Sequence, residues 1–343
     1  MSQNKKHEPA KVPPSFQIIL VIISSIIIGF FLYARLQVFA PREKKPTIFP
    51  LTPERLVEFG GYQGTVDVGL YIQKFEKSDF IKNDFIFSGI IWFEFNPDVI
   101  SLNTLEKFSF EGGEILSISP PDMKIKRDKL LVRYNIRVHF SSPLAYSDFP
   151  LEDHTIYLTL AHQFVSPSEI IFYASRPNFV INAQIAGWTQ WGHRVENGYG
   201  KAILDTSDQE RTVYYPISLF SVDYSRSAIR YVLTILSPLI LMFFLIVFSF
   251  SVDSFSSLSL SAGGITGILA YRFVIESLSP ETANFMISDY LFLLFLIGGF
   301  FVFFVDTIDI FAVHLSLAIK KIIVFLIYAA MTICSIYLFW PKG

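Results

Sequence analysis

The chain has 343 residues, of which 52% are hydrophobic and only 17% are charged, a balance typical of a membrane protein rather than a soluble one. The 28 basic and 30 acidic residues give a formal charge of −2, so a strongly basic surface for nucleic acid is not expected. The single cysteine, Cys334, excludes an intrachain disulfide and a cysteine-rich zinc site.

The first apolar run, residues 18–34, comes after Lys5, Lys6 and Lys11, which is the layout of a signal-anchor helix or of a long signal peptide. The run is longer than the usual apolar part of a secretory signal, which has about 7–15 residues, and a proline follows one of its two possible cleavage sites. These features favour an uncleaved helix, with residues 1–40 as a cytoplasmic N-terminus and membrane anchor. A cleaved signal peptide is the alternative, and in both cases the following segment is exported.

Residues 41–226 carry most of the charged side chains and are expected to face water. Apolar and polar residues alternate in several short runs, for example 66–72, 131–140 and 155–160, with Gly, Pro, Asn and Asp between the runs. Many short strands at such spacing predict a β-sandwich domain.

The rest of the chain, residues 227–343, is apolar again and predicts a four-helix transmembrane bundle. Each of four segments can cross about 30 Å of hydrocarbon, the third only with flanking residues. Lys320 and Lys321 place the loop before the last segment in the cytoplasm. The four segments are 231–252, 255–275, 290–305 and 322–340.

The second of these segments is rich in Ser, Gly and Thr and is therefore poor lipid-facing material. At 3.6 residues per turn, one stripe of it is small and polar and becomes aromatic towards its outer end. One interpretation is close helix packing through Gly263 and Gly267, and the other is a pore lining repeated around a symmetric oligomer. The stripe consists of Ser259, Gly263, Thr266, Ala270, Phe273 and Ser277.

Arg272 is a charge within an apolar segment, which makes it a candidate functional residue. It lies away from the stripe and four residues before Glu276, so a structural ion pair at the outer end is favoured. A gating element and a pore charge are the alternatives.

Five pieces of the chain occur in an order and at spacings that one known family shares. They are 66–72, 90–97, 135–158, Gly187-Trp188, and Arg226 twelve residues before Pro238. This order resembles that of a pentameric ligand-gated ion channel of the bacterial type, in the Cys-loop receptor superfamily. Residues 135–158 resemble the signature loop of that family with its flanking strands. The chain differs in having no cysteines in this loop and no Trp-x-Pro-Asp motif between 97 and 120.

The resemblance implies a homopentamer in the lipid bilayer of a bacterial inner membrane, which conducts inorganic ions passively through a pore lined by residues 255–276. The sandwich would be periplasmic, with the additional N-terminal helix beginning in the cytoplasm if it is not cleaved. No cofactor and no enzymatic activity are expected, since HExxH, GxSxG and Walker sequences are absent from the chain. The alternative is a non-conducting receptor or scaffold that senses a periplasmic ligand or pH.

The resemblance also implies a gating route from the sandwich to the pore. Arg226 would meet Glu152 or Asp153 of the signature loop, and five copies of Phe273 would form an apolar constriction. Glu276 at the outer mouth and Asp253 at the inner mouth slightly favour cations. The gating and coupling residues are Phe149, Pro150, Glu152, Asp153, Arg226, Pro238 and Pro280.

Two kinds of stimulus are considered for the external domain. Aromatic residues in strands or loops where the family binds ligands would suit a small cationic amine through cation–π attraction, although core packing is the simpler interpretation. These residues are Trp92, Phe164, Tyr199, Tyr214 and Tyr215.

Protons are the rival stimulus, because histidine side chains can change charge near neutral pH. The alternative is that these histidines lie on the surface and have no special role. The histidines concerned are His139, His154, His162 and His193.

Overall fold

The computed structural model describes residues 11–61, 64–204, 212–226, 229–312 and 314–340. Lys5 and Lys6, part of the basis for the expected orientation of the first helix, lie outside these residues. The chain divides into two compact units. The helical unit consists of Met1–Ala40, Tyr146–Glu152 and Ala228–Gly343, and the sheet unit consists of Pro41–Ala145 and Asp153–Ser227.

Among the described residues, five helices are long and apolar enough to cross a membrane. They confirm the five apolar segments expected from the sequence, and all five belong to the helical unit. The helices are α1 (Pro14–Leu36), α2 (Pro53–Glu58), α3 (Leu102–Leu105), α4 (Ile229–Val247), α5 (Ser254–Leu278), α6 (Ile287–Phe311) and α7 (Leu317–Phe339), and a short 3-10 helix, Phe248–Ser251, follows α4.

Helix α6 extends beyond its apolar run at both ends, and two of the acidic residues in these extensions have cationic partners on other helices. Arg272 of α5 donates to Asp289 in the first turn. Lys320 of α7 donates to Asp309 near the last turn, with Nζ and Oδ2 2.5 Å apart and both side chains buried. Burying an unpaired charge at this depth would be costly, so these pairs allow the helix to continue.

Helix α5 packs against α4 and α6, and α7 packs against α1 and α6. Their shared hydrophobic cluster includes Phe243, Ile246, Ile268, Phe295 and Val302, all almost completely buried. Burial of such side chains stabilises the contacts between helices by close packing.

The strands of the sheet unit form a six-stranded and a four-stranded sheet. The first has the order β4-β6-β2-β1-β8, with β5 also paired to β6, and the second has the order β3-β7-β10-β9. The β1–β8 pair is parallel and the other pairs are antiparallel. The strands are β1 (Gly64–Asp79), β2 (Asp84–Phe95), β3 (Ser109–Glu111), β4 (Gly113–Ile118), β5 (Asp122–Lys126), β6 (Lys129–Phe140), β7 (Asp153–Ala161), β8 (Ile170–Ile181), β9 (Trp188–Ile203) and β10 (Thr212–Arg226).

The alternating runs of the sequence are confirmed as strands. In β2 every second residue is buried, because alternate side chains of a strand point to opposite faces. One hydrophobic cluster takes side chains from both sheets, among them Phe87 and Phe93 of β2, Leu158 of β7 and Phe220 of β10. The core of the sheet unit is therefore shared by the two sheets.

Candidate functional site

All six residues of the predicted pore stripe lie on the exposed face of α5. The isoleucines of the same helix point the other way, with Ile265, Ile268 and Ile275 buried against the neighbouring helices, whereas Leu269 and Val274 are exposed. The structure therefore brings the stripe together on the one side of α5 that the helical unit leaves uncovered. The stripe face consists of Ser259, Gly263, Thr266, Ala270, Phe273 and Ser277.

Some glycines of α5 lie on its packed face and one lies on its exposed stripe face. This division distinguishes close helix packing from a pore lining as the reason for the small residues. A Cβ added at Gly264 would lie 2.3 Å from Cγ1 of Ile246, and one at Gly267 would lie 3.2 Å from the Met242 sulfur. Both glycines allow α4 to approach closely. A Cβ at Gly263 would meet nothing within 4 Å. Close packing explains the first two glycines but not Gly263.

The stripe face combines hydroxyl groups with one large apolar ring. The hydroxyls of Thr266 and Ser277 donate to backbone carbonyls of their own helix at 2.9 and 2.8 Å, which leaves their oxygen lone pairs on the exposed side. The Phe273 side chain is 74% exposed. The face can therefore offer weak acceptors along its length and an apolar obstruction near its C-terminal end.

The two carboxylates expected to favour cations lie at opposite ends of α5. Asp253 accepts hydrogen bonds from the backbone N–H and the hydroxyl of Ser256, so it caps the helix. The hydrogen bond donated by the Ser256 backbone N–H is the largest of the effects that lower the pKa of Asp253 below its ordinary value. Glu276 is exposed near the C-terminal end of α5.

Arg272 forms the predicted pair with Glu276, whose nearest oxygen is 3.6 Å away. It also donates to Asp289 of α6, a partner that the sequence did not indicate, and lies 5.4 Å from the Phe292 ring. Pro280 is buried in the segment between the helices and lines a cavity of about 440 Å³ together with these charged residues. The guanidinium therefore ties α5 to the start of α6.

Pro238 lies inside α4 and cannot donate the backbone hydrogen bond that the Thr234 carbonyl would otherwise accept. The hydroxyl of Tyr271 on α5 donates to that carbonyl at 2.6 Å. A side chain of the neighbouring helix thus satisfies the group left open by the proline, as membrane helices require. Tyr271 was not singled out from the sequence, although Pro238 indicates that the Thr234 carbonyl needs a donor.

Replacing Tyr271 by phenylalanine is expected to lower the free energy of unfolding by about 1 kcal/mol, since it removes one hydrogen bond and leaves a carbonyl open. Thermal unfolding in detergent would measure the change. Tyr290→Phe is the matched control, because it removes an exposed hydroxyl from α6. Equal midpoints for the two variants would contradict the assigned role of Tyr271.

The loop 146–152 belongs to the helical unit and covers the start of α6. The backbone N–H of Ile287 donates to the carbonyl of Ser147 at 3.0 Å, and that of Ser288 donates to the carbonyl of Phe149 at 3.1 Å. The first N–H groups of a helix have no partner within the helix. The loop therefore supplies the acceptors that α6 lacks.

The tip of this loop is inserted among the helices. Phe149, joined to Pro150 by a cis peptide bond, is fully buried, and Leu151 is nearly so. The Phe149 ring centroid lies 6.2 Å from that of Tyr231 on α4, whose hydroxyl donates to the carbonyl of Leu278 at 2.9 Å. The loop, α4 and the end of α5 are thus linked through two aromatic residues.

The remaining coupling candidates are divided between the two units. Glu152 is buried in the helical unit, whereas Asp153 and Arg226 belong to the sheet unit. Within the sheet unit the Arg226 guanidinium lies 4.4 Å from the ring centroid of Trp188, and a left-handed Gly187 (φ +82°) precedes that tryptophan. The pairing of Arg226 with a carboxylate of the signature loop stays a prediction.

Among the aromatic ligand candidates, the structure brings only Tyr199 and Tyr214 together, with ring centroids 5.8 Å apart. Phe49 stacks on Tyr199 at 5.4 Å, and Phe59 meets the two tyrosines edge-on at 5.3 and 5.9 Å. Phe49 and Tyr199 also exchange backbone hydrogen bonds. The segment before β1 therefore covers Tyr199, which is only 4% exposed.

The other three aromatic candidates lie apart from this cluster. Trp92 is half-buried in β2, and Phe164 is exposed with Lys107 Nζ 5.8 Å from its ring centroid. Tyr215 is buried and donates to Glu111 at 2.8 Å. Burial and this carboxylate raise the pKa of Tyr215 to about 12. The five candidates therefore do not form one ligand site within the chain.

The histidines of the sheet unit differ in their surroundings. His154 is fully buried, with Nδ1 2.5 Å from Oε1 of Glu43, whereas His139 is exposed beside Asp84. Burial lowers the pKa of His162 and of His193 below the ordinary value of 6.5. His162 also contacts the Thr104 carbonyl through Nε2 at 2.7 Å.

Replacing His162 by glutamine is expected to flatten the pH dependence of stability on the acid side. The pKa of His162 is lower in the folded protein than in the unfolded chain. Its contribution to the stability of the folded protein is therefore present above about pH 6.5 and is lost as the pH falls through the folded-state pKa. Denaturant unfolding between about pH 5 and pH 8 would measure this, with the exposed His139→Gln as control. The same slope in wild type and His162→Gln would contradict it.

No protein-family model matches the chain, and no curated protein matches it either.

Proposed function

We propose that the chain is one subunit of a homopentameric, ligand-gated-type ion channel, and that α5 lines its pore. In this proposal the two sheets form a β-sandwich on the periplasmic side of a bacterial inner membrane. Helices α4 to α7 form the four-helix bundle of each subunit, and inorganic ions pass along the fivefold axis. Exposed Glu276 and the capping carboxylate of Asp253 favour cations.

The observation that carries the proposal is the contrast between the open faces of two membrane-length helices. The exposed face of α7 carries large apolar side chains, including Ile322, Phe325 and Leu326, as expected against lipid. The exposed stripe of α5 is instead small and hydroxyl-bearing as far as Phe273, with exposed Leu269 and Val274 beside it, while its isoleucines pack inward. Such a face suits water better than hydrocarbon, and repetition around a symmetry axis would enclose that water.

Coupling in this proposal runs through the loop 146–152. Its carbonyls contact the start of α6, and Phe149 contacts α4, so a displacement of the loop would act on both neighbours of α5. Pairing of Arg226 with Glu152 or Asp153 would transmit the state of the sandwich to the loop. The stimulus is either a small amine or protons.

Thiol labelling tests the pore assignment. In a Cys334→Ala background, which removes the exposed native cysteine, Ser259→Cys and Thr266→Cys should react with a water-soluble thiol reagent in the membrane-embedded protein. Two controls should not react: Ile268→Cys, which is buried within the subunit, and Leu326→Cys, which is on the lipid-type face of α7. Protection of all four positions would contradict a water-filled pore along α5.

A further inference from the structure

The face of α1 that is buried against the protein carries three polar side chains beside Ile28 and Leu32. Gln17, Ser24 and Arg35 are buried, whereas Ile22 and Ile26 on other faces are exposed. A helix that serves only to target the chain needs hydrophobicity and length, not polar residues matched to particular partners. The arrangement is that of a helix that belongs to the folded helical unit.

The inner end of α1 is bonded to the turn between α4 and α5. The backbone N–H of Val12 donates to the Phe250 carbonyl at 2.9 Å, and the side-chain amide of Gln17 donates to the Ser251 hydroxyl at 2.9 Å. That hydroxyl in turn donates to the Val12 carbonyl at 2.8 Å. The start of α1 is therefore joined to the segment from which α5 begins.

Along its length α1 packs against α7. Lys321 Nζ lies 5.9 Å from the ring centroid of Phe16, and the rings of Phe31 and Trp340 are 6.0 Å apart. These contacts lie near the two ends of α7, so the two helices run side by side through the thickness of the helical unit.

The outer end of α1 is bonded to the loop 146–152. Arg35 Nη2 donates to Asp148 Oδ2 at 3.0 Å, and the two side chains are only 4% and 12% exposed. Asp148 lies between Ser147 and Phe149, whose carbonyls accept the first N–H groups of α6. The ion pair therefore joins α1 to the same loop that contacts the start of α6.

We propose that α1 is retained in the mature protein as a fifth spanning helix, and that Arg35 is a positioning residue that fixes the loop 146–152 on α6 through Asp148. Removing one partner of a buried charge pair is costly, because the other buried charge then loses an opposite charge that offsets its desolvation. Any effect on gating rests on the proposed channel function, whereas retention and loop positioning do not.

The test combines the intact mass of the purified protein with hydrogen–deuterium exchange of segments 146–152 and 286–289. The mass should include all of α1, and a mature chain that begins beyond Leu36 would overturn the proposal. In Arg35→Gln the two segments should exchange at least about tenfold faster than in wild type, since the loop loses its support on one side. Unchanged exchange in this variant would also overturn the proposal.

Two further variants make the result specific. Asp148→Asn removes the acidic partner of the ion pair and should accelerate hydrogen–deuterium exchange of the two segments equally. If Arg35→Gln does not assemble, the exchange of Asp148→Asn decides whether the pair positions the loop. Arg55→Gln is the control, because it removes a cation from a half-exposed surface pair with Glu58 and should leave both segments unchanged. Equal acceleration in Arg55→Gln would overturn the assigned role of Arg35.

Ionic current separates this proposal from the proposed function. If the chain conducts, Arg35→Gln and Asp148→Asn should change the steady current by at least about tenfold. Faster exchange of the loop with no current in wild type or in any variant would contradict the channel and support the positioning role. Current that responds to the stimulus normally in both variants, with unchanged exchange, would support the channel and overturn the role of Arg35.

Discussion

Replacing Phe273 by alanine is expected to raise the resting ionic current by at least about tenfold, equivalent to about 1.4 kcal/mol of bias towards the closed state. The side chain is 74% exposed at the outer part of the stripe, so five copies would form an apolar ring that closes the path by excluding water. Alanine widens and weakens that ring. Current through planar bilayers, recorded across about pH 4 to pH 8, would measure the change.

Phe304→Ala is the matched control for this prediction. Phe304 is 63% exposed on α6, so the same change in size is made on a face rich in large apolar residues. This variant should conduct as wild type does. If Phe273→Ala also conducts as wild type does, the assignment of Phe273 as the constriction is wrong. If wild type and both variants carry no current although each is shown to be an inserted pentamer, the non-conducting receptor is favoured.

Valine at Gly264 is expected to lower the free energy of unfolding by about 1–3 kcal/mol, whereas valine at Gly263 should leave it nearly unchanged. The first Cβ would lie 2.3 Å from Ile246 Cγ1, so α4 and α5 would have to move apart, and the second would enter open space. Thermal unfolding of the two variants in detergent would compare these adjacent positions directly.

The same pair of variants separates packing from conduction. In the proposed pentamer Gly263 faces the pore, so Gly263→Val should reduce current in a protein of normal stability. Equal losses of stability at the two positions would contradict the division of α5 into a packed face and a pore face.

Much of the helical unit could be predicted because its signals are local. The five apolar runs determine five helices, and the 3.6-residue period alone places Thr266 and Phe273 on one side of α5. The boundaries of α6 were less predictable. Asp289 and Asp306 bound the apolar run and Asp309 follows, but Asp289 and Asp309 have cationic partners on other helices, which only the folded chain brings near.

The contacts that join distant segments could not be predicted. Nothing local to Arg35 indicates Asp148, which is 113 positions away, and Tyr271 becomes a donor to Thr234 only through the register of α4 against α5. The cover over Tyr199, one of the aromatic candidates, could not be predicted either. The segment around Phe49 has the composition of a linker, yet its rings cover Tyr199.

The most direct test of the central claim, that α5 lines an ion-conducting pore, is current block in a Cys334→Ala/Thr266→Cys protein in planar bilayers. We predict that a positively charged, water-soluble thiol reagent reduces the current irreversibly, and that the Ile268→Cys counterpart is unaffected. Unchanged current after complete modification of Thr266→Cys, confirmed by mass, would contradict the pore assignment.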